Sequence, residues 1–434
     1  MIINSMQLLY ENTSGLETKN VLNTAESLVS YIQKLKQIKQ GEYNIPESCL
    51  NVVSDTKYLA KVIELIKKYK SQNLKYVFLL GIGGSNLGAK AIYDSFYGFK
   101  DTYLPKIERY PKLLFLDTVN PKFFDDLNSF LKTTKLNSEE YLINIITKSG
   151  STTETIYNAE MLLKILPNSY NRIVITSDKD SVLTKKAQEK NIEHLEVPKM
   201  VGGRFSVFSA VGLFPLAICN IDIGKLLKGA LDAKKQNLED DITKNLAAIS
   251  ASSIYLNYKK NIFINDTYIY NPELESLGKW YRQLMAESLG KDNLKILPTV
   301  SVGSADLHSI TQRYLGGEHN IFTTFLRAST PSVSENIKLT ETKLNIIEDS
   351  IKNKAPNNIV EAIYEGVKKS YKNKNIPYIE VTLETVDEYN LGYYMQFKMI
   401  EMMYLGKLFN VNTFNQPNVE EYKVETKKIL IHEK

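Results

Sequence analysis

Cysteine is scarce in this chain of 434 residues: there are 2, Cys49 and Cys219, far apart and without metal-ligand spacing. That excludes a disulfide framework and a cysteine-built metal centre, and points to buried thiols in a reducing compartment. Histidine is as sparse, at 4 residues, which argues against a histidine-built metal site. No apolar run reaches the length of a membrane span. The longest apolar region, "VFSAVGLFPLAIC", is interrupted by Ser209, Gly212 and Pro215 and reads as a buried helix. The opening "MIINSMQLLYENTSG" has no basic start followed by an apolar core, so no secretory signal is expected. Charge of one sign is lacking too. The net +5, from 54 basic and 49 acidic side chains, argues against a nucleic-acid partner but would not oppose an anionic substrate. The expectation is a cytoplasmic globular protein with neither a membrane nor a nucleic acid as partner.

What is present is an alternation. Residues 1 to about 70 read as helices, for example "ESLVSYIQKLKQIKQG" and "YLAKVIELIKKYK". From residue 75, apolar runs of strand length follow one another with helical text between: "YVFLL", "LLFLD", "LINIIT", "RIVIT" and "HLEV". A second series is "NIFIND", "KILPTV", "NIFTTFL" and "YIEVTL". Strands alternating with helices predict an α/β fold with parallel sheets. We expect an N-terminal helical segment over 1–50, α/β domains over 51–205 and 206–385, and a C-terminal helical segment over 386–434. The alternating charges of "KLTETKLNIIEDSIKNK" read as a solvated helix face.

In open parallel sheets, ligands sit beyond the carboxyl ends of the strands. Two loops stand at such ends. The first, "GIGGSNLG" from Gly81, joins a strand to a helix start. Its glycines suit an anion but also suit a plain tight turn. It is not a dinucleotide fingerprint, because Asn86 stands where a third glycine is needed, and no Gly-Lys-Ser/Thr follows to make a P-loop. The second loop, "TKSGSTTET", packs Thr147, Lys148, Ser149, Ser151, Thr152 and Thr153 into seven positions before a helix. One hydroxyl would serve as a helix cap; five read as a cradle for a phosphate. No carboxylate stands ready for a metal, so the bound group reads as a monophosphate on a small molecule.

Four further segments carry candidates. "VGGRF" projects Arg204 from a glycine turn. "LGKWYRQLMAESLGK" is a helix ended by Gly290 that puts Gln283 and Glu287 on one face. A carboxylate there can serve as a general base. "SADLHSITQ" carries His308, a proton shuttle by type. "FNQPNVEEYK" carries Gln416, Glu420 and Lys423. Taken one at a time, each has a plain structural reading: a surface ion pair, an exposed helical Glu, a structural His, a turn entering a charged helix.

Taken together and in order, "GIGGSNLG", "TKSGSTTET", "VGGRFSVFSAVGL", "AESLGK", "DLHSITQ" and "FNQPNVEEYK" resemble the motifs of the glucose-6-phosphate isomerase family, over residues 81 to 423. The resemblance implies two sugar-isomerase (SIS) α/β/α sandwich domains, a homodimer, no cofactor and no metal. It implies the glycolytic interconversion of glucose 6-phosphate and fructose 6-phosphate. By position, Glu287 is implied as the base between C2 and C1, and Arg204 as the group that stabilises the enediolate. His308, supplied by the partner subunit, and Lys423 are implied as ring-opening groups. Thr147, Lys148, Ser149 and Thr152 match the phosphate shell, and Gly84, Ser85, Gln283 and Gln416 the sugar contacts.

Departures exist: Thr147 replaces a common Ser, Gly150 and Ser151 vary within the cradle, Leu289 replaces Asn, and Pro417 and Asn418 replace residues such as Trp and Gly. The last pair bears on the loop that leads to Lys423. A non-catalytic sugar-phosphate sensor would keep the cradle and lose the chemical groups, yet all four are here. An isomerase that also accepts mannose 6-phosphate is an alternative. A nicotinamide dehydrogenase is opposed by the broken fingerprint.

Overall fold

The computed structural model describes residues 6–104, 109–166, 169–329, 338–340, 342–344 and 346–432. Its frame is a pair of five-stranded sheets. The strands in chain order are β1 (Met6–Leu9), β2 (Tyr76–Leu80), β3 (Lys112–Leu116), β4 (Tyr141–Ile146), β5 (Ile173–Ser177), β6 (Glu193–Glu196), β7 (Ile264–Ile269), β8 (Leu297–Val302), β9 (Ile321–Ala328) and β10 (Tyr378–Leu383). One sheet runs β3-β2-β4-β5-β6, all parallel. The other runs β8-β7-β9-β10-β1, parallel except for β1, which pairs Met6 with Leu383 in antiparallel register.

Strands covered on both faces need apolar residues on both, which is why the runs looked continuous in the sequence. In the first sheet Val77, Leu79, Leu142 and Ile146 face a large central core. Phe78, Leu80, Ile143 and Ile145 face the outer helices through Phe124, Leu127 and Leu162. The second sheet divides likewise: Phe322, Leu326 and Val381 point to the centre, and Tyr268, Phe325 and Tyr378 to an aromatic outer cluster.

The helix Glu388–Phe409 lies in the central core, buried without interruption from Asn390 to Gly406. A helix apolar on every side has no face for water. Within it Lys398 and Glu401, both fully buried, pair at 2.9 Å. Tyr281 and Ser250 each donate to Glu401, so both carboxylate oxygens are satisfied. This network ties the helix Glu275–Leu289, which bears Glu287, to the centre of the molecule.

Three elements differ from the sequence reading. Residues 1–50 contain helices but also β1, whose four residues are too few for a periodic signal and gain their definition from the open edge of β10. β7 starts at Ile264, three residues after the start of "NIFIND", because Asn261 takes a left-handed φ of 63° just after the preceding helix. The described residues of 338–354 form turns, not a helix. Leu344 and Ile346 are 71% and 73% exposed, so a helix there would have no apolar face to bury and too little length to stand alone. Among the described residues no helix is long and apolar enough to cross a membrane.

Candidate active site

The chain leaves β2 for β3 on one side and reaches β4 on the other, so the crevice beyond β2 and β4 is a topological switch point. Both candidate loops open into it. The turn Gly83–Ser85 packs on the turn Gly203–Phe205, and a Cβ on Gly84 would collide with the Gly203 and Arg204 backbone. Glycine is required there for close approach, and the contact seats Arg204 directly behind the glycine loop. The Gln283 amide lies within contact range of Gly83, so the helix carrying Glu287 meets the same loop.

In the hydroxyl loop, Thr147 Oγ1 and Thr152 Oγ1 are 2.9 Å apart, and Thr147 Oγ1 and Ser149 Oγ 3.5 Å. Thr152 occupies the N-cap of the helix Thr153–Ile165 without capping it through its side chain. The cap reading therefore fails, and the first-turn amides keep their positive end free for an anion. Gly150 takes φ 69° against Ser181, so the loop bends at a place where side chains are strained. Lys148 is partly buried; burial pulls its ammonium below the usual value, opposed by Asp178. A cavity of about 380 Å³ joins Ser149, Thr152 and Glu154 to Tyr422, Lys423 and Lys427. Lys423 thus stands at the cradle, its Nζ 2.7 Å from Glu420.

Arg204 is 3% exposed, which excludes a surface ion pair. A guanidinium has five N–H donors, and here each has an acceptor. Nε donates to Ser288 Oγ at 2.9 Å, Nη1 to Glu287 at 3.3 Å and to Gln416, and Nη2 to the Thr413 carbonyl and to the Asn415 carbonyl at 3.2 Å. Burial pulls the guanidinium below its usual value, and Glu287 counters. The other oxygen of Glu287 accepts from Gln283 Nε2 at 3.0 Å. A part-buried carboxylate is thus aimed by an amide and a cation, an arrangement suited to moving a proton next to a developing negative charge.

The structure brings together Arg204, Glu287, Gln283 and Gln416, sets Gly84 and Ser85 against them, and groups Thr147, Ser149, Thr152 and Lys423 at the neighbouring cradle. It does not bring in His308. That residue ends the turn Ala305–His308 and is exposed, with no side-chain hydrogen bond among the described residues. Pro417 and Asn418 leave the approach to Lys423 closed: Val419 N donates to Gln416 O and Glu420 N to Pro417 O, leading into the helix Val419–His432. Sequence reasoning missed Ser288, Lys291, and the Thr413 and Asn415 carbonyls. Ser288 and Lys291 stand inside the quoted "AESLGK", but backbone carbonyls carry no signal of residue type.

The fold and this crevice define a class: α/β proteins that hold a small phosphorylated molecule at a switch point beside an acid–base pair. A family model described as Phosphoglucose isomerase matches residues 33–322. Glucose-6-phosphate isomerase of Methanocaldococcus jannaschii is 33% identical over 363 residues, 83% of this chain and 86% of that protein. The Streptococcus pyogenes enzyme of the same name is 33% identical over 397 residues, 88% of this chain and 85% of its own. A hypothetical protein from Thermus thermophilus superposes with a TM-score of 0.85 at 27% identity, covering 98% of this chain and 99% of that one. A glucose-6-phosphate isomerase from Chlamydia trachomatis shares the fold, with a TM-score of 0.75 at 17% identity over 99% of this chain and 89% of that one. The chain belongs to the phosphoglucose isomerase family.

Proposed function

We propose that this protein interconverts glucose 6-phosphate and fructose 6-phosphate, an aldose–ketose isomerisation in glycolysis and gluconeogenesis, with Glu287 as the base that carries the proton. The observation that carries the assignment is the pairing of buried Arg204 with part-buried Glu287, opening onto a crevice whose other wall is a hydroxyl loop that leaves its helix without a side-chain cap.

The phosphate sits against Thr147, Lys148, Ser149 and Thr152, and its binding energy holds the sugar in register. His308 and Lys423 open the ring, one giving and one taking a proton. Gly84, Ser85, Gln283 and Gln416 contact the open chain. Glu287 then takes the C2 proton of the aldose. The C–H electron pair becomes a C1–C2 double bond, and the C1 carbonyl oxygen becomes an oxyanion beside Arg204. Transfer of the O2 proton to O1 and return of the carbon-bound proton from Glu287 to C1 give the ketose. At 3.3 Å, the contact to Glu287 is the longest of the five that Arg204 makes, and it loses its charge assistance once Glu287 takes the proton, which leaves that N–H for the oxyanion. The chemistry asks for no metal and no nicotinamide.

A homodimer in which His308 reaches the partner's site is supported by the exposure of His308, which among the described residues makes no side-chain hydrogen bond to the Arg204 cluster. A cytoplasmic location is supported by two free, buried cysteines. The test is turnover of fructose 6-phosphate by wild type and Glu287→Gln, with sugar-phosphate binding measured in both. The expected result is turnover in the first and binding without turnover in the second. Turnover that survives the substitution overturns the role of Glu287. Binding without turnover in wild type replaces the isomerase by a sensor.

A further inference from the structure

Lys291 follows Gly290, at the end of the helix that carries Glu287. Its Nζ donates to a single loop: to Asn412 O at 2.8 Å, to Asn415 Oδ1 at 2.9 Å, and to Asn415 O. An ammonium has three protons, and here it has three acceptors. The same loop supplies three of the five acceptors of Arg204: the Thr413 and Asn415 carbonyls and the Gln416 side chain. Lys291 and Arg204 therefore share the Asn415 carbonyl.

Apart from these bonds, the loop is held by Thr413, which is buried beside Gly406, and by Phe414 N, which donates to Asn412 Oδ1 at 2.9 Å. Asn412 and Asn415 are exposed. Behind the loop lies a cavity of about 360 Å³, lined by Tyr31, Glu47, Asn412, Thr413 and Phe414 among others. Phe414 rests on Phe205, with ring centroids 5.2 Å apart. Lys291 is held in this position at an electrostatic disadvantage: burial and then the charge of Arg204 pull its ammonium down to about 8, against Asp292 and Glu287. None of its hydrogen bonds is to a carboxylate, so an ordinary surface ion pair does not explain it.

We propose that Lys291 is a positioning residue for the isomerisation: it clamps the loop 412–416 to the end of the Glu287 helix and so fixes Arg204 and Gln416 relative to the base. The proposal rests on the roles given above to Arg204 and Glu287. A lysine that merely completed the helix end would affect stability and leave turnover per folded molecule intact. A positioning lysine affects kcat, because small displacements of a catalytic pair cost far more in rate than in ground-state binding.

The experiment uses the full chain as wild type, Lys291→Met, Lys291→Arg and Glu287→Gln, with steady-state kinetics on fructose 6-phosphate, calorimetric binding of the same sugar phosphate, and thermal unfolding. Lys291→Met is expected to stay folded and bind within about threefold of wild type, with kcat reduced about 30-fold. Lys291→Arg, which keeps the charge and several donors, is expected to recover kcat to within about fivefold. Should Lys291→Met not fold, Lys291→Gln, a neutral side chain with two donors, takes its place. A kcat within about twofold of wild type in the folded Met or Gln variant overturns the clamp. So does a loss of binding as large as the loss of kcat. Glu287→Gln separates the two readings: if it turns over normally, the base assignment has failed, whereas an inactive Glu287→Gln beside a normal Lys291→Met condemns only the clamp.

Discussion

The two sheets are wound alike, yet among the described residues only one ends in a furnished crevice. In each the chain steps to one neighbour and then crosses to the other side, giving switch points between β2 and β4 and between β7 and β9. Beyond β2 and β4 stand glycines and a cluster of hydroxyls. Beyond β7 stands Asn271, whose Oδ1 accepts from Ala328 N at 2.7 Å and whose amide donates to Glu273 at 3.1 Å. A side chain there bridges strand ends that a ligand would otherwise satisfy. What the second sheet's chain contributes is the helix after β7, which carries Gln283 and Glu287 into the first crevice. On the proposed assignment, anion binding and proton chemistry come from different stretches of chain, and substitutions should separate them.

The sharpest separation is at Arg204. Arg204→Lys keeps a charge but leaves several of five acceptors unpaired, and kcat should fall by about 10² to 10³ while phosphate binding persists. Steady-state kinetics with a binding isotherm checks this; a loss confined to KM would move Arg204 from the chemical side to the binding side. Next is a mixing experiment. Glu287→Gln and His308→Ala should each be inactive as homodimers. If His308 crosses the interface, each mixed dimer holds one intact site, so random co-assembly should restore about a quarter of wild-type activity. No recovery would place His308 in its own chain's site, or outside the site altogether.

On the binding side the effect should be smaller and of another kind. Thr152→Val removes a hydroxyl from the cradle without touching the acid–base pair. KM for fructose 6-phosphate should rise about tenfold, the value of one hydrogen bond to a charged group, with a lesser change in kcat. A fall in kcat alone would break the division of labour.

The smallest effect on turnover is expected at a second buried carboxylate. Asp266 accepts from Thr299 at 2.6 Å and Ser301 at 3.1 Å, and burial pushes its carboxyl up to about 6, against those bonds. Its ordinary value lies near 4. A raised acid is held preferentially in its neutral form by the fold, so its stabilisation is complete below about pH 4 and is lost as pH rises through about 6. Asp266→Asn should remove roughly 3 kcal/mol of that pH dependence, measurable by urea unfolding between pH 4 and 8, and leave kcat at neutral pH within about twofold.

The strands and the two loops were legible because buried parallel strands are continuous apolar runs and because hydroxyls and glycines cluster locally. Gln283 and Glu287 were legible as a pair through helical spacing alone. The surroundings of Arg204 were not: its acceptors come from residues 287, 288, 413, 415 and 416, two of them as backbone carbonyls. Nor was β1, which exists only because β10 offers an edge. The central position of helix Glu388–Phe409 could be inferred from its all-round apolarity, but its Lys398–Glu401 pair shows as polar text and reveals its burial only in three dimensions.

The most direct test of the proton-transfer assignment is hydrogen exchange at carbon. Fructose 6-phosphate would be incubated in D₂O with wild type or Glu287→Gln, and deuterium entering C1 followed by NMR alongside glucose 6-phosphate formation. Wild type should wash deuterium into C1 as it turns over, and Glu287→Gln should bind the sugar phosphate and exchange nothing. Exchange at the wild-type rate in Glu287→Gln would contradict the assignment and send the search for the base to another residue of the crevice.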